Sequence, residues 1–169
     1  WHIARVRAEA LFPAIHGSPG GYRFRARVSV RLVPKKGGVL VGFHERRSSY
    51  VADMTSCEVL PHHVSVLLPR LRELVSAMSR PDRMPQIEVA LGDASTALVL
   101  RHLEALTDAD YTLMREFAAQ YGVDWWLQAA GPDSVVPLEA ASAGRLWYAL
   151  PEFGIRMGFR PTEFTQVNF

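Results

Sequence analysis

The chain has 169 residues, of which 49% are apolar, and its mean hydropathy is +0.01. This length and composition fit one globular domain with a substantial core, and the lack of any run of about eighteen apolar residues excludes a membrane-spanning helix. The single cysteine, Cys57, excludes an intrachain disulfide and is typical of a reducing compartment, so we expect a cytoplasmic protein.

The net charge of +2 conceals an uneven distribution along the chain. Residues 1–50 contain ten Lys and Arg residues against Glu9 and Glu45, a net charge of +8, whereas the remainder carries nine basic and fifteen acidic side chains, a net charge of −6. Localised positive charge is typical of a surface that binds a polyanion, whereas evenly mixed charge indicates only solubility. A solvated basic face near a terminus is the alternative.

The first predicted element is a half-buried strand from Tyr22 to Val33. Apolar residues occupy one parity of this segment and arginines occupy most of the other, which is the period of two expected of a strand with one open face. Neighbouring positions on that open face are about 6.8 Å apart. A turn at residues 34–38 and a return strand at residues 39–43 complete a hairpin with Lys35 and Lys36 at its tip.

The middle of the chain predicts two helices. Apolar positions at three- and four-residue spacing between Val64 and Met78 indicate an amphipathic helix, in which Pro69 marks a kink or the start of the regular part. Thr107 and Gly122 are suitable N- and C-terminal caps for a second helix at about residues 108–121.

The remaining apolar runs predict strands. They are a third short strand at residues 48–53, a hairpin at residues 86–91 and 96–103, a strand at residues 123–128 and a last hairpin at residues 147–150 and 155–159. The composition of residues 129–143 predicts a loop between the last two of these. Strands joined by tight turns pair antiparallel, and two helices can cover one sheet face. We therefore expect an α+β fold, with an antiparallel β-sheet built from hairpins and two helices packed on one face.

Two groups of motifs give the chain a resemblance to a known family. The last eleven residues read FRPTEFTQVNF and closely resemble the F-x-P-x-[DE]-F-x-Q-V-N segment that precedes the catalytic domain in RNA uracil-5-methyltransferases of the RumA/TrmA family. RumA-type enzymes also carry G-Y-R-x-R-A-R, P-K-K and G-F-R-E-x-x-S-S segments followed by a single cysteine. The same order occurs here at Gly21–Arg27, Pro34–Lys36, Gly42–Ser49 and Cys57, with His44 as a departure from the third motif.

The resemblance, which extends from about residue 20 to the end, implies a function and a domain organisation. It implies part of an S-adenosylmethionine-dependent methyltransferase that forms 5-methyluridine in 23S rRNA. Residues 1–20 would be a lead-in segment, residues 21–158 a central RNA-binding domain and residues 159–169 a linker to the catalytic domain. The nucleophilic cysteine and the general base would lie beyond Phe169, so we expect these residues alone to be inactive.

Two alternatives stay open beside this interpretation. One is a transfer-RNA uracil-5-methyltransferase relative, and the other is a non-catalytic RNA-binding or interaction domain. In the main interpretation the expected partner is ribosomal RNA, and the resemblance implies no protein partner.

The resemblance also implies two cofactors in the full-length protein. Gln166 would contact S-adenosylmethionine and Phe164 would lie near the target uridine; on an extended segment the two side chains share a face. A linker without these roles is the alternative. Cys57 matches the distant cysteine ligand of the 4Fe-4S cluster in RumA-type enzymes, and the three other cysteines would lie before Trp1. Such a cluster needs four thiolates, so we expect no cofactor on these residues alone.

Without the resemblance, a lone cysteine such as Cys57 is typically a small buried apolar residue.

The basic residues of the first third are the predicted RNA contacts. Guanidinium groups pair bidentately with phosphate oxygens, and a strand spaces them regularly along an extended RNA backbone. A charged face that protects the sheet from aggregation is the alternative. The predicted contacts are Arg23, Arg25, Arg27, Arg31, Lys35, Lys36, Arg46 and Arg47, together with Phe164.

Two other residue pairs are weaker candidates for a site. His62 and His63 point about 100° apart on a helix and do not converge on a zinc ion. Trp125 and Trp126 alternate faces on a strand, so we expect one in the core and the other exposed, at an interdomain contact or as a stacking platform for a base.

Overall fold

The structure, a computed structural model, describes residues 9–10, 12–14 and 16–165. Eight strands and three α-helices are found in this described part, connected by short loops and 3-10 turns. The strands are β1 (Arg25–Val33), β2 (Gly38–Gly42), β3 (Gln86–Leu91), β4 (Thr96–Arg101), β5 (Val123–Gln128), β6 (Val135–Pro137), β7 (Trp147–Leu150) and β8 (Ile155–Gly158). The helices are α1 (His62–Ser65), α2 (Leu67–Ala77) and α3 (Asp108–Tyr121).

Six of the strands form one sheet in the order β2-β1-β3-β4-β5-β6. The β1–β2 and β3–β4 hairpins pair antiparallel, as predicted, and β1 also pairs antiparallel with β3. The β4–β5 pair is parallel, which the expectation of an antiparallel sheet missed. Helix α3 accounts for the difference, because it connects the two strands as a crossover that returns the chain to the same end of the sheet.

The helices cover one face of this sheet, which confirms the predicted α+β architecture. Their apolar stripes pack on the inward parity of the strands, where Val28, Ile87, Leu98 and Trp125 are all buried in one cluster with Leu71 and Met114. The helical segment divides at Val66, so that the longer helix begins two residues before Pro69. A proline is tolerated there because the first backbone N–H groups of a helix have no intrahelical acceptor.

Three local expectations were wrong. Residues 48–53 form no strand, and only an isolated bridge between His44 and Val51 joins this segment to the end of β2. The expected loop at residues 129–143 contains the short strand β6, which pairs with β5. Trp125 and Trp126 are both buried, on opposite faces of the sheet, so neither is exposed as a stacking platform.

The β7–β8 hairpin forms a second sheet that covers part of the other face. Leu146 precedes β7 and Phe159 follows β8. Both side chains pack with Trp126 and Val99 in a separate apolar cluster. The hairpin crosses close to Gly92, where a Cβ atom would lie 2.6 Å from the carbonyl oxygen of Trp147. The other part of this face stays open, and it carries the polar residues of β1, β3, β4 and β5.

Helix α3 begins at a hydrogen-bonded network around the buried carboxylate of Asp110. The hydroxyl of Thr107 accepts a hydrogen bond from the Asp110 backbone N–H, and Asp110 accepts one from the Thr107 backbone N–H, which completes a capping box. The backbone N–H and hydroxyl of Ser79 also donate to this carboxylate, at 2.8 and 2.6 Å. The network therefore ties the start of α3 to the end of α2.

We expect Asp110→Ala to lower the free energy of unfolding by about 3 kcal/mol, because it removes a helix cap and leaves buried donors without an acceptor. Urea denaturation measures this change. Asp108→Ala is the matched control: this exposed carboxylate lies in the same first turn, and its loss should cost less than about 0.5 kcal/mol. Equal effects of the two substitutions would contradict the role assigned to the network.

The same network makes part of the stability dependent on pH. Burial by itself raises the pKa of Asp110, but hydrogen bonds from Ser79 and Thr107 outweigh it and hold this pKa below the ordinary carboxyl value. The carboxylate therefore contributes stability at pH values above its ordinary pKa and loses that contribution as the pH falls through the lowered one. The stability difference between the wild type and Asp110→Asn should shrink below about pH 4.

Candidate nucleic-acid interface

The open face of β1 carries the arginines that the sequence predicts as RNA contacts. Alternation along the strand buries Ala26, Val28 and Val30 under the helices and directs Arg25, Arg27 and Arg31 to the other face. Arg23 precedes the strand and lies beside Arg25 and Arg27. We call these four residues, Arg23, Arg25, Arg27 and Arg31, the arginine face.

Two members of the arginine face are available to an anion. The Nε of Arg23 donates to the carbonyl oxygen of Arg25 at 3.0 Å, and an Nη of Arg31 donates to that of Ser49 at 3.0 Å. Both side chains are exposed, and neither pairs with a carboxylate within the part of the chain that the structure describes. Their positive charges are therefore not neutralised by any carboxylate of residues 9–10, 12–14 and 16–165.

Arg27 is bound to the protein on one side and exposed on the other. Its guanidinium pairs with the carboxylate of Glu88 at 2.8 Å, and the side chain of Gln86 donates to the same carboxylate at 2.9 Å. Glu88 is nearly buried, whereas the Arg27 side chain is 66% exposed. A buried carboxylate requires such a partner, so the ion pair has a structural role in addition to any contact with RNA.

Arg25 holds the segment that leads to the end of the described chain. Its guanidinium donates to the carbonyl oxygen of Pro161 at 2.9 Å and also to that of Glu163. Arg160 donates to the carbonyl oxygen of Val135 at 3.1 Å, and Pro161 is buried. These contacts fasten residues 160–163 to the open face of the sheet, so the structure gives Arg25 two main-chain partners rather than a free guanidinium.

Phe164 follows this fastened segment and is 85% exposed. An apolar ring in that position is available to another surface or to a base. Gln166, the predicted contact of S-adenosylmethionine, lies outside the described residues.

The predicted lysines and the remaining arginines extend the positive surface beyond β1. Lys35 and Lys36 lie in the exposed 3-10 turn of the β1–β2 hairpin, and the ammonium of Lys36 is 5.7 Å from the ring centre of Tyr50. Arg46 and Arg47 are exposed in the loop between β2 and the bridge at Val51, and both lack a protein partner in the described residues. Together with the arginine face, these four residues form what we call the basic band.

Sequence reasoning missed three polar residues beside the basic band. Gln86, Arg101 and Gln128 lie in one row across β3, β4 and β5, because the register pairs Gln86 with Arg101 and Arg101 with Gln128. They line a cavity of about 400 Å³ together with Arg25, Arg27 and Glu88. Arg101 and Gln128 are the last residues of the mostly apolar strands β4 and β5. A polar residue at the position whose side chain points away from the helices was the feature of the sequence that could have identified them.

Cys57 is not among the residues that line the cavity. Its half-buried side chain packs against the main core, and its backbone N–H donates to the Ser65 hydroxyl at 2.7 Å. No group of three or more His, Cys, Asp or Glu residues that could hold a metal ion occurs among the described residues. Cys57 by itself supplies one of the four thiolates that an iron–sulfur cluster requires.

The neighbouring histidines have a local contact. A ring nitrogen of His63 lies 3.3 Å from the Thr96 hydroxyl. Burial, with a smaller effect of the adjacent His62, lowers the pKa of His63 from its ordinary value. Within the described part of the chain, no helix is long and apolar enough to cross a membrane.

Comparison with known proteins gives relatives that are similar along almost the whole chain. The 23S rRNA (uracil(1939)-C(5))-methyltransferase RlmD of Bordetella avium is 62% identical over 168 residues, which cover 99% of this chain and 35% of the relative. RlmD of Cupriavidus pinatubonensis is 63% identical over 168 residues, which cover 36% of its length. The chain therefore spans about a third of the length of the curated relatives that it matches.

A solved structure supports the same architecture. The tRNA (uracil-54, C5)-methyltransferase of Pyrococcus abyssi, determined in complex with S-adenosyl-L-homocysteine, superposes with a TM-score of 0.60 at 18% identity. The match covers 89% of this chain and 38% of that one, and at this identity it shows a shared fold. No protein-family model matches the chain.

We expect Arg25→Ala to release residues 160–163 from the sheet, because two main-chain carbonyl groups lose their donor. Hydrogen exchange at the backbone N–H groups of Arg160 and Glu163 should become at least about tenfold faster. Arg23→Ala, which removes an equal charge next to Arg25, should leave these rates unchanged. Unaltered exchange in Arg25→Ala would contradict the fastening role.

Proposed function

We propose that this chain is the RNA-binding central part of an S-adenosylmethionine-dependent methyltransferase that forms 5-methyluridine in 23S rRNA. The identity of 62% across 99% of the chain to RlmD carries the proposal. The transfer-RNA enzyme shares the fold at only 18% identity, so ribosomal RNA is the favoured substrate. In this proposal residues 21–158 form the domain, residues 159–169 lead to a catalytic domain, and the protein acts in the cytoplasm.

The basic band supports a role in holding single-stranded RNA. Guanidinium and ammonium groups pair with phosphate oxygens and fix the position of the nucleic acid without reading its sequence. Arg23, Arg31, Arg46 and Arg47 pair with no carboxylate among the described residues, and the sheet holds Arg31 at a fixed position. Release of counterions from the RNA on binding would make the affinity depend steeply on salt.

The chemistry of the reaction would come from outside the described residues. When bound, S-adenosylmethionine supplies the methyl group, and we assign Gln166 as one of its contacts. The nucleophilic cysteine and the base would also be supplied by the catalytic domain. Phe164, exposed at the end of the fastened segment, would approach the flipped target uridine, and the contacts of Arg25 would keep it at the edge of the RNA-binding face.

Cys57 is our proposed ligand of a 4Fe-4S cluster in the full-length protein. The described residues offer no complete ligand set, so three further thiolates would have to come from the rest of that protein. The half-buried position of Cys57 beside the core suits a ligand at a boundary between two parts of a protein. We derive no step of the methylation through this cluster.

Binding of 23S rRNA by the full-length protein tests the basic band. Replacement of Arg23 and Arg31 together by Gln should reduce the salt dependence by about 1.4 in log K per log salt, since each lost phosphate contact on a single strand contributes about 0.7. Arg27 is left intact because its loss would leave Glu88 buried without a partner. Filter binding at several salt concentrations gives the slope.

The control removes two arginines from the helices instead. Arg70→Gln with Arg115→Gln deletes the same charge, but these side chains pair with Glu73 and Glu139 on the covered side of the sheet. The control should keep the wild-type slope. A slope unchanged by the Arg23 and Arg31 substitutions would overturn the basic band as the RNA contact, and the absence of 5-methyluridine formation by the wild type would overturn the proposed reaction.

Cys57→Ser in the full-length protein should abolish its iron and acid-labile sulfide, because serine is a poor substitute for a thiolate ligand. Iron and sulfide analysis of the purified protein measures the cluster directly. Thermal unfolding should show that the domain itself keeps its stability. A full complement of iron and sulfide in Cys57→Ser would remove Cys57 from the ligand set.

A further inference from the structure

A polar cavity opens on the sheet face next to the basic band. Its floor is the row of Gln86, Arg101 and Gln128, which the strand register places side by side. The loop at residues 130–132 forms one wall, and Thr162 of the fastened segment contributes to the rim. The volume of about 400 Å³ lies within the range of about 300–1,000 Å³ that is usual for small-molecule sites.

Two side chains in this cavity have no hydrogen-bond or ion-pair partner among the described residues. Gln128 is 5% exposed, yet its amide makes no hydrogen bond to any described residue. Arg101 is half-buried and likewise has no carboxylate or carbonyl partner in the described part of the chain. The Gln128 amide is not among the fully enclosed polar atoms without a partner, so it opens into the cavity and is available to a ligand.

The other polar groups of the cavity are already committed. Arg25 donates to Pro161 and Glu163, and Arg27 and Gln86 both donate to Glu88. The lining therefore carries three guanidinium groups and one carboxylate, and only the guanidinium of Arg101 has no partner among the described residues. One open cation lies next to an amide that can both donate and accept.

This combination fits a nucleotide better than a free anion. A bare phosphate would pair with Arg101 but would leave the acceptor of the Gln128 amide unused. The edge of a base presents donors and acceptors together, which suits an amide such as that of Gln128. The cavity is also continuous with the arginine face, along which the RNA backbone would lie.

We propose that this cavity binds one unstacked nucleotide of the RNA, with its phosphate on Arg101 and the edge of its base on Gln128. The proposal rests on the proposed function and adds a site at which a base is read away from the target uridine. Because Thr162 belongs to the segment that carries Phe164, the bound nucleotide would contact the same segment that presents the exposed ring.

A double-mutant cycle between protein and RNA tests the site. A 23S rRNA fragment that contains uridine 1939, the position named for the relatives, is prepared with single abasic substitutions along its unpaired nucleotides. At one of them the wild-type full-length protein should lose about tenfold in affinity, and Gln128→Leu should show no further loss at that same position. Gln120→Leu, at an exposed position of α3, should respond as the wild type does.

Arg101→Ala provides an independent arm in case Gln128→Leu does not fold. It should weaken binding of the intact fragment about tenfold, whereas Arg70→Ala on α2 should change it less than about twofold. Thermal unfolding of each variant checks that it is folded. If abasic substitutions affect the wild type and Gln128→Leu alike at every position, or if Arg101→Ala binds as the wild type does, the cavity is not a nucleotide site.

Failure of the cavity and failure of the proposed function give different results. If the wild type does not bind the fragment, both are overturned. If the wild type binds and the Arg23 and Arg31 substitutions reduce the salt slope while Arg101 and Gln128 substitutions have no effect, only the cavity is wrong. In a third outcome Arg101→Ala weakens binding, but no abasic position depends on Gln128. Arg101 then contacts a phosphate while no base is read in the cavity, and this result also overturns a nucleotide site.

Discussion

The register of β1 between two antiparallel neighbours is the constraint on which the rest of the open face depends. Val30 lies opposite Val41 on one side and Val28 lies opposite Ile87 on the other, and the buried side chains at these positions hold the strand in place. Because successive side chains point to opposite faces, a shift by one residue would bury the guanidinium groups and expose the core. Burial on one face therefore fixes the spacing of the charges on the other.

The arginines of that face divide into structural and available groups. Arg25 fastens residues 160–163, and Arg27 compensates the buried carboxylate of Glu88, so both have protein partners that RNA binding need not disturb. Arg23 and Arg31 have only single main-chain acceptors. A flexible segment with the same composition would have the same net charge, but it would not hold that charge beside a preformed cavity. Side chains that the sheet already holds in place lose less conformational entropy when they bind a ligand.

Most elements of the fold could be predicted from the residues, but several of their partners could not. The periods of two and of about 3.6 identified β1, α2 and α3, and the caps at Thr107 and Gly122 gave the bounds of α3 correctly. The short apolar runs of β4 and β5 contain no information on direction, and a connecting helix permits a parallel pair. Residues 48–53 have the composition of a strand, but they form a single bridge, between His44 and Val51, with flanking backbone hydrogen bonds at Tyr50 and Ala52.

The sequence by itself determined the alternation of β1, the localised positive charge and the motifs at residues 21–57 and 159–169, because these properties depend on residue type and spacing alone. The tertiary structure decided which charges remain free. Arg25 and Pro161 are far apart along the chain, and Gln86, Arg101 and Gln128 belong to three different strands, so neither contact nor cavity exists until the sheet assembles. Their proximity follows from strand register, which is set by the packing of the whole core and not by any local pattern.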